Sequence, residues 1–70
     1  MERASQLKQE AEKIINEGRR PSASLLAEEL GWNIHDVHRC LNFLEKKGEA
    51  FTYTKEVMKD NKVRMVGLKR

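Results

Sequence analysis

The feature that most constrains this chain is a joint of three residues, Gly31-Trp32-Asn33, between two segments with helical patterning. A glycine-containing linker of this length holds two helices nearly perpendicular to each other. Asn33 is a favourable N-cap for the second helix, which we expect to run from residue 34 to about residue 47. The sequence therefore predicts two crossed helices, with the second projecting from the body of the protein.

A further helix is predicted before this pair. From Glu2 to Gly18, apolar residues recur at helical spacing and charged residues lie opposite them. Gly18 is expected to end this helix, and Pro21 favours an extended segment after it. Ser22 is a suitable N-cap for a short second helix over residues 23–30.

The hydrophobic period changes from near four to two after Gly48, which indicates strands. We predict a two-residue turn at Asp60-Asn61, which sets Lys55 opposite Val66 and Tyr53 opposite Leu68. The residues expected to cover the helical core are Phe51, Tyr53, Val66 and Leu68, and those expected to face inward from the third helix are Ile34, Val37, Leu41 and Leu44. The predicted fold class is α+β, with three helices followed by a two-stranded antiparallel hairpin in one domain over residues 1–70.

Charge is distributed unevenly along the chain. Residues 1–45 carry six Lys/Arg and eight Asp/Glu, a net charge of −2, whereas residues 46–70 carry eight Lys/Arg and three Asp/Glu, a net charge of +5. This asymmetry favours a phosphate-facing surface in the C-terminal third. A solvated basic tail is the alternative interpretation.

Several classes of protein are disfavoured by composition. A single cysteine precludes an internal disulfide and fits a reducing, cytoplasmic setting. The sequence has neither an apolar run of the ~20 residues that span a bilayer nor the apolar stretch of a signal peptide near its start. His35, His38 and Cys40 diverge on the helical wheel and do not complete a metal site. Since no catalytic set of residues is recognisable, we expect no enzyme, no metal and no cofactor.

A family resemblance is carried by the residues around the joint. The stretch LAEELG at residues 26–31, followed by V-x-x-x-L-x-x-L-E-x-K-G at residues 37–48, resembles the winged helix-turn-helix superfamily, in particular its small stand-alone bacterial and archaeal members. The resemblance covers nearly the whole chain but identifies no individual family. It implies that helix 34–47 enters the major groove of DNA and that the hairpin is a wing, with residues 55–64 on the phosphate backbone.

The third helix is also similar to that of Z-DNA-binding domains. That family uses an Asn and a Tyr one turn apart on this helix, together with Trp and Pro in the wing. Here His38 and Asn42 occupy the helix positions and the hairpin lacks Trp and Pro. These departures argue against binding to left-handed DNA.

The helical wheel and the resemblance together predict the contact residues. The residues expected to face the bases are His35, His38, Arg39 and Asn42, and those expected to contact phosphate are Arg20, Ser22, Lys46, Lys55, Lys59, Lys62 and Arg64. Arg39 and Asn42 are the best candidate base readers, because Arg pairs with guanine and Asn with adenine. The alternatives are an ordinary solvated helix face and, for the hairpin lysines, protection of an edge strand.

The leading functional prediction is binding of double-stranded DNA by a small transcriptional regulator or DNA-associated factor. The alternative is a protein-interaction module that keeps the same fold without binding DNA. That alternative is favoured by a predicted apolar patch, suited to a homodimer or a protein partner, at Phe43, Met58, Val63 and Met65.

Overall fold

The computed structural model describes residues 2–69, which form three helices and a two-stranded antiparallel sheet. The elements are α1 (Glu2–Asn16), α2 (Ala23–Leu30), α3 (Ile34–Lys46), β1 (Ala50–Met58) and β2 (Asn61–Leu68). The predicted α+β order of elements is confirmed. The limits of the predicted domain, residues 1 and 70, lie outside the described residues.

Local capping chemistry sets the ends of α2 and α3, as the sequence predicts. The Ser22 hydroxyl accepts a hydrogen bond from the backbone N–H of Leu25 at 3.0 Å. The Asn33 side chain accepts one from the backbone N–H of His35 at 2.8 Å. Gly31 ends α2 in a left-handed conformation with φ 68°, which glycine adopts without steric cost. The caps at Gly31 and Asn33 satisfy backbone groups at the two ends of the three-residue joint.

The core is a single apolar cluster to which all three helices and both strands contribute. Its members are Ala4, Leu7, Ala11 and Ile14 of α1, Ala23 and Leu26 of α2, Val37, Cys40, Leu41 and Leu44 of α3, and Ala50 and Val66 of the strands. Trp32 in the joint is half-buried against this cluster. The prediction that Ile34 faces inward is wrong, because the contribution of α3 to the core begins at Val37 and Ile34 is exposed.

The hairpin pairs in a register that differs from the predicted one. Lys55 lies opposite Val63 and Tyr53 lies opposite Met65, a displacement of three residues from the predicted partners Val66 and Leu68. The turn is formed by Lys59 and Asp60, one residue earlier than predicted, with Asp60 at φ 66°.

A bulge in β1 accounts for the remainder of the displacement. The regular pairing is interrupted between Glu56 and Met58, which leaves Val57 as an extra residue in β1. The earlier turn accounts for two of the three residues and the bulge for the third. Because side chains alternate along a strand, an odd displacement exchanges the faces of one strand relative to the other.

The sheet therefore has two distinct faces. Directly paired residues share a face, so the inner face, toward the helices, carries Ala50, Thr52, Thr54, Glu56, Lys62, Arg64, Val66 and Leu68, and the outer face carries Phe51, Tyr53, Lys55, Val63, Met65 and Gly67. Val66 is buried as predicted. The prediction that Phe51 and Tyr53 cover the core is wrong, since they are 42% and 40% exposed on the outer face.

The segment between α1 and α2 is tied to β2. The backbone N–H of Val66 donates to the carbonyl of Pro21 at 2.9 Å, and Ser22 forms an antiparallel bridge with Met65. This pairing occupies the edge of β2 that faces away from β1. Within residues 2–69, no helix has the length and apolar character needed to cross a membrane.

Candidate nucleic-acid interface

Two rows of polar side chains run along α3 on the part of its surface that is not buried in the core. The open row consists of His35, Arg39 and Lys46, and the bridged row consists of His38, Asn42 and Glu45. Within each row the spacings are multiples of about one helical turn, which places the members on one side of the helix. The rows differ in what they contact.

The bridged row is held by one arginine from the sheet. Arg64, on the inner face of β2, donates from Nη1 to His38 Nδ1 at 3.0 Å. Its Nη2 donates to Asn42 Oδ1 at 2.9 Å and to Glu45 Oε1 at 2.7 Å. The guanidinium thus satisfies three acceptors spaced over two turns of α3, and its side chain is only 23% exposed.

This contact defines the protonation state of His38. An arginine only donates hydrogen bonds, so the His38 Nδ1 that receives Arg64 is unprotonated and the ring is neutral. Partial burial lowers the pKa of His38, and the positive charges of Arg64 and His35 lower it further. Thr52 of β1 adds a second contact to the bridged row, since its hydroxyl donates to Glu45 Oε2 at 3.0 Å.

The open row faces solvent. His35, Arg39 and Lys46 are all exposed. Among the residues that the structure describes, none of these three side chains takes part in a hydrogen bond or salt bridge. Arg39 and Lys46 therefore present two cations on one side of α3 that no described side chain compensates.

The predicted base-facing set is thus divided between the rows. His35 and Arg39 lie in the open row. His38 and Asn42 lie in the bridged row, where each accepts a hydrogen bond from Arg64. Asn42 is nevertheless exposed.

The predicted phosphate-contacting set is also divided. Arg20, Lys46, Lys55, Lys59 and Lys62 are exposed, and no ion pair joins any of them to a side chain of residues 3–69. By contrast, the hydroxyl of Ser22 is occupied as the cap of α2.

The remaining member of that set, Arg64, is occupied as well. It lies on the inner face, where its directly paired neighbour is Thr54, and its guanidinium is bonded to α3 instead of being presented to solvent. The prediction that Arg64 lies on an exposed, phosphate-facing surface is therefore wrong. Lys62, which precedes it by two residues toward the turn, shares its face and is the free cation nearest to it along β2.

Other charges at the base of the hairpin neutralise one another. Glu49 binds Lys8 of α1 at 2.8 Å and Lys47 at 3.1 Å, and these two contacts lower the pKa of its carboxyl. Lys47 also lies over the Phe43 ring, 5.4 Å from its centroid. Lys47 is therefore engaged, whereas its neighbour Lys46 is not.

The predicted apolar patch does not form as expected. Met65 is only 7% exposed, Val63 is half-buried, and Phe43 packs against the core cluster. Of the four predicted members, Met58 alone is highly exposed, at 68%, and its neighbour Val57 at the bulge is also exposed.

Metal-ligating side chains are not grouped in the described part of the chain. No cluster of three or more His, Cys, Asp and Glu residues with the geometry of a metal site occurs there. Cys40 is buried in the core, where a free cysteine packs as a small apolar side chain, and burial raises the pKa of its thiol.

Glu45 and Thr52 are the residues of the Arg64 network that sequence reasoning missed. The available signal was the spacing of His38, Asn42 and Glu45, three acceptors at i, i+4 and i+7 on one side of a helix. Such a row matches the several donors of a guanidinium from a neighbouring element.

Comparisons with known proteins give no independent assignment. No protein-family model, no curated protein and no solved structure matches this chain. Support for a function therefore comes from the two rows of α3 and from the charges of the hairpin.

Proposed function

We propose that this protein is a winged helix-turn-helix domain that binds double-stranded DNA through the open row of α3. The observation that carries the proposal is the pair of exposed cations, Arg39 and Lys46, without partners in the described residues and on one side of a helix that follows a tight joint. An α-helix with its side chains is about as wide as the major groove of B-DNA, so the open row can enter that groove.

The proposed contacts follow from the chemistry of each side chain. Arg39 has the bidentate geometry that reads guanine, and His35 lies near the N-terminus of α3, where recognition helices contact base edges. Lys46 and the hairpin lysines Lys59 and Lys62 would bind phosphates and supply affinity that does not depend on sequence. Such a domain suits a small transcriptional regulator or another DNA-associated factor.

The internal ion pairs support this division of roles. Lys8, Lys47 and Arg64 are each paired with a carboxylate, which removes them from the set of free cations. Cations without an ion pair in the described part of the chain include Arg39 and Lys46 of α3 and Lys55, Lys59 and Lys62 of the hairpin, so both elements contribute to a positive field.

The proposal is tested by duplex binding of two matched lysine variants. Lys46 and Lys13 are each the basic residue in the last turn of their helix, and both are exposed. Removing either one deletes the same charge and the same interaction with the helix dipole. In fluorescence anisotropy with a labelled random duplex at low salt, we expect Lys46→Ala to weaken binding about three- to tenfold, through loss of one phosphate contact. Lys13→Ala should change it less than about twofold. No measurable binding by the wild-type chain, or equal effects of the two variants, would refute the proposal.

A protein-interaction role is the second candidate, and the exposed tip of the hairpin is the observation that favours it. Val57 and Met58 are 58% and 68% exposed. If duplex binding is absent and sedimentation shows self-association that Met58→Ser abolishes, the tip is a protein-docking surface and the DNA proposal fails.

A further inference from the structure

The outer face of the sheet carries an aromatic platform that the duplex proposal does not use. The platform consists of Phe51 and Tyr53, whose rings are inclined by only 24° and whose centroids are 6.2 Å apart. This separation is close to the ~6.6 Å between alternate residues of a strand, so the rings lie side by side along β1. Both side chains are about two-fifths exposed.

Gly67 shapes this platform. It pairs directly with Phe51 across the hairpin, and a Cβ at position 67 would overlap the Phe51 ring. The ring therefore lies against the backbone of β2, in space that only a glycine leaves open. This support holds Phe51 close to the sheet and leaves the exposed part of its ring facing solvent.

Cations lie at both ends of the platform. Lys55 follows Tyr53 on the same face of β1 and is exposed. At the other end, the backbone N–H of Val66 donates to the carbonyl of Pro21, and the exposed Arg20 immediately precedes this contact. The paired outer-face positions include no Asp or Glu.

We propose that this platform binds a short unpaired segment of single-stranded nucleic acid. Exposed aromatic faces stack on unpaired bases, whereas in a duplex each base is already covered by its neighbours. Arg20 and Lys55 would bind the flanking phosphates. Because the paired outer-face positions carry no Asp or Glu, their positive charge favours a polyanionic ligand over a protein surface of mixed charge. The site lies on the side of the sheet away from α3, so the inference goes beyond the duplex proposal and does not require it.

The test uses fluorescence anisotropy with a labelled oligothymidylate of about eight nucleotides, which matches the site size of small single-strand binders. An abasic oligomer of equal length and charge is the control for simple charge attraction. We expect the oligothymidylate to bind more tightly than the abasic oligomer. Phe51→Leu and Tyr53→Leu keep apolar bulk but remove the ring face, and each should weaken binding to oligothymidylate by about fivefold or more.

Two controls separate stacking from loss of fold and from the duplex site. Phe43→Leu makes the same substitution at a ring packed on the core and should leave single-strand affinity within about twofold. Thermal unfolding checks that each variant folds; if Phe51→Leu unfolds because of its packing on Gly67, Tyr53→Leu alone decides. Lys46→Ala should not alter oligothymidylate binding, which distinguishes failure of this proposal from failure of the duplex proposal.

Three results would overturn the inference. The first is equal affinity for the oligothymidylate and the abasic oligomer. The second is oligothymidylate affinity that stays within about twofold in every folded leucine variant. The third is concentration-dependent dimerisation that Tyr53→Leu abolishes in a chain that does not bind oligothymidylate, which would make the platform a contact between two copies.

Discussion

The two polar rows of α3 lie on the same helix but differ in their charges and in their contacts. In the bridged row, His38, Asn42 and Glu45 all accept hydrogen bonds from Arg64. In the open row, Arg39 and Lys46 project into solvent without a partner among the side chains of residues 3–69. The difference shows that a cation's place in the sequence does not decide whether it is available to a ligand.

The bridged row has a structural consequence for the open row. Arg64 joins β2 to the middle of α3, and Thr52 adds a bond from β1 to the same carboxylate of Glu45. These contacts fix the angle between the hairpin and the helix. A fixed angle presents the cations of both elements that lack a partner in the described part of the chain in one arrangement, which would lower the entropy cost of the proposed binding to a rigid duplex.

The largest effect is expected from Arg39→Ala. If Arg39 pairs with a base, the variant should lose about 5- to 150-fold in affinity for the preferred sequence and discriminate less between sequences. Lys62→Ala should weaken all sequences alike, because a phosphate contact carries no sequence information. Selection from a random duplex library followed by binding titrations measures both. If Arg39→Ala lost the same affinity for all sequences, Arg39 would contact the phosphate backbone of DNA and not a base.

Arg64→Met should chiefly affect stability. Methionine keeps much of the apolar stem but leaves His38, Asn42 and Glu45 without their donor, and we expect a loss of about 1–2 kcal/mol in the free energy of unfolding. Urea denaturation measures this change. Lys46→Met is the control and should cost no more than about 0.5 kcal/mol, since Lys46 has no partner among the described residues. Equal losses in the two variants would contradict a structural role for Arg64.

Glu45→Gln should convert the bridged row partly into an open one. The variant removes the negative charge at 2.7 Å from Arg64 and weakens its hold on the guanidinium. We expect duplex affinity to rise about two- to fivefold at low salt, because a cation is released and a repelling charge is lost. Glu12→Gln, at an exposed position of α1, controls for the change in net charge. An equal rise in both variants would show that Arg64 is not released.

The smallest effect is expected from the titration of His38. Its pKa is lowered in the folded protein, so between the unfolded value of about 6.5 and the lower folded value the unfolded chain binds more protons. The contribution of His38 to the free energy of unfolding should therefore be fully present above about pH 6.5 and be lost as the pH drops below that value. Urea denaturation from about pH 7.5 to 5.5 should show a smaller fall for His38→Gln than for the wild-type chain. Identical profiles would contradict a neutral His38.

Features that depend on neighbouring residues were predictable from the sequence. Ser22, Gly31 and Asn33 act within one helical turn of their own position, so the helix ends follow from residue type. The order of three helices and a hairpin follows in the same way, from periodicity on either side of Gly48.

Features that depend on residues far apart in the sequence were not predictable in this way. The hairpin register is set by a turn at Lys59 and Asp60 and by an extra residue at Val57, and alternation alone does not reveal either. Once the register is displaced by three, Phe51 and Tyr53 leave the core. Gly67 was the missed signal, because a glycine inside a strand often marks close approach of another group.

The candidate site was predicted in part for the same reason. The helical wheel of α3 correctly predicted that His35, Arg39 and Lys46 are exposed, because the spacing of residues along one helix is a local property. It could not show that Arg64, 19 residues beyond Glu45, returns to bind the helix. Only the folded arrangement distinguishes a cation that holds the hairpin from one that faces solvent.

The most direct test of the distinction between the two rows is the salt dependence of duplex affinity. Each phosphate contact contributes about −0.9 to the slope of log Kobs against log salt concentration. If Lys46 contacts phosphate and Arg64 holds the fold, Lys46→Ala should reduce the magnitude of the slope by about 0.9, and folded Arg64→Met should leave it unchanged. A slope that is reduced by Arg64→Met and unaffected by Lys46→Ala would contradict the account.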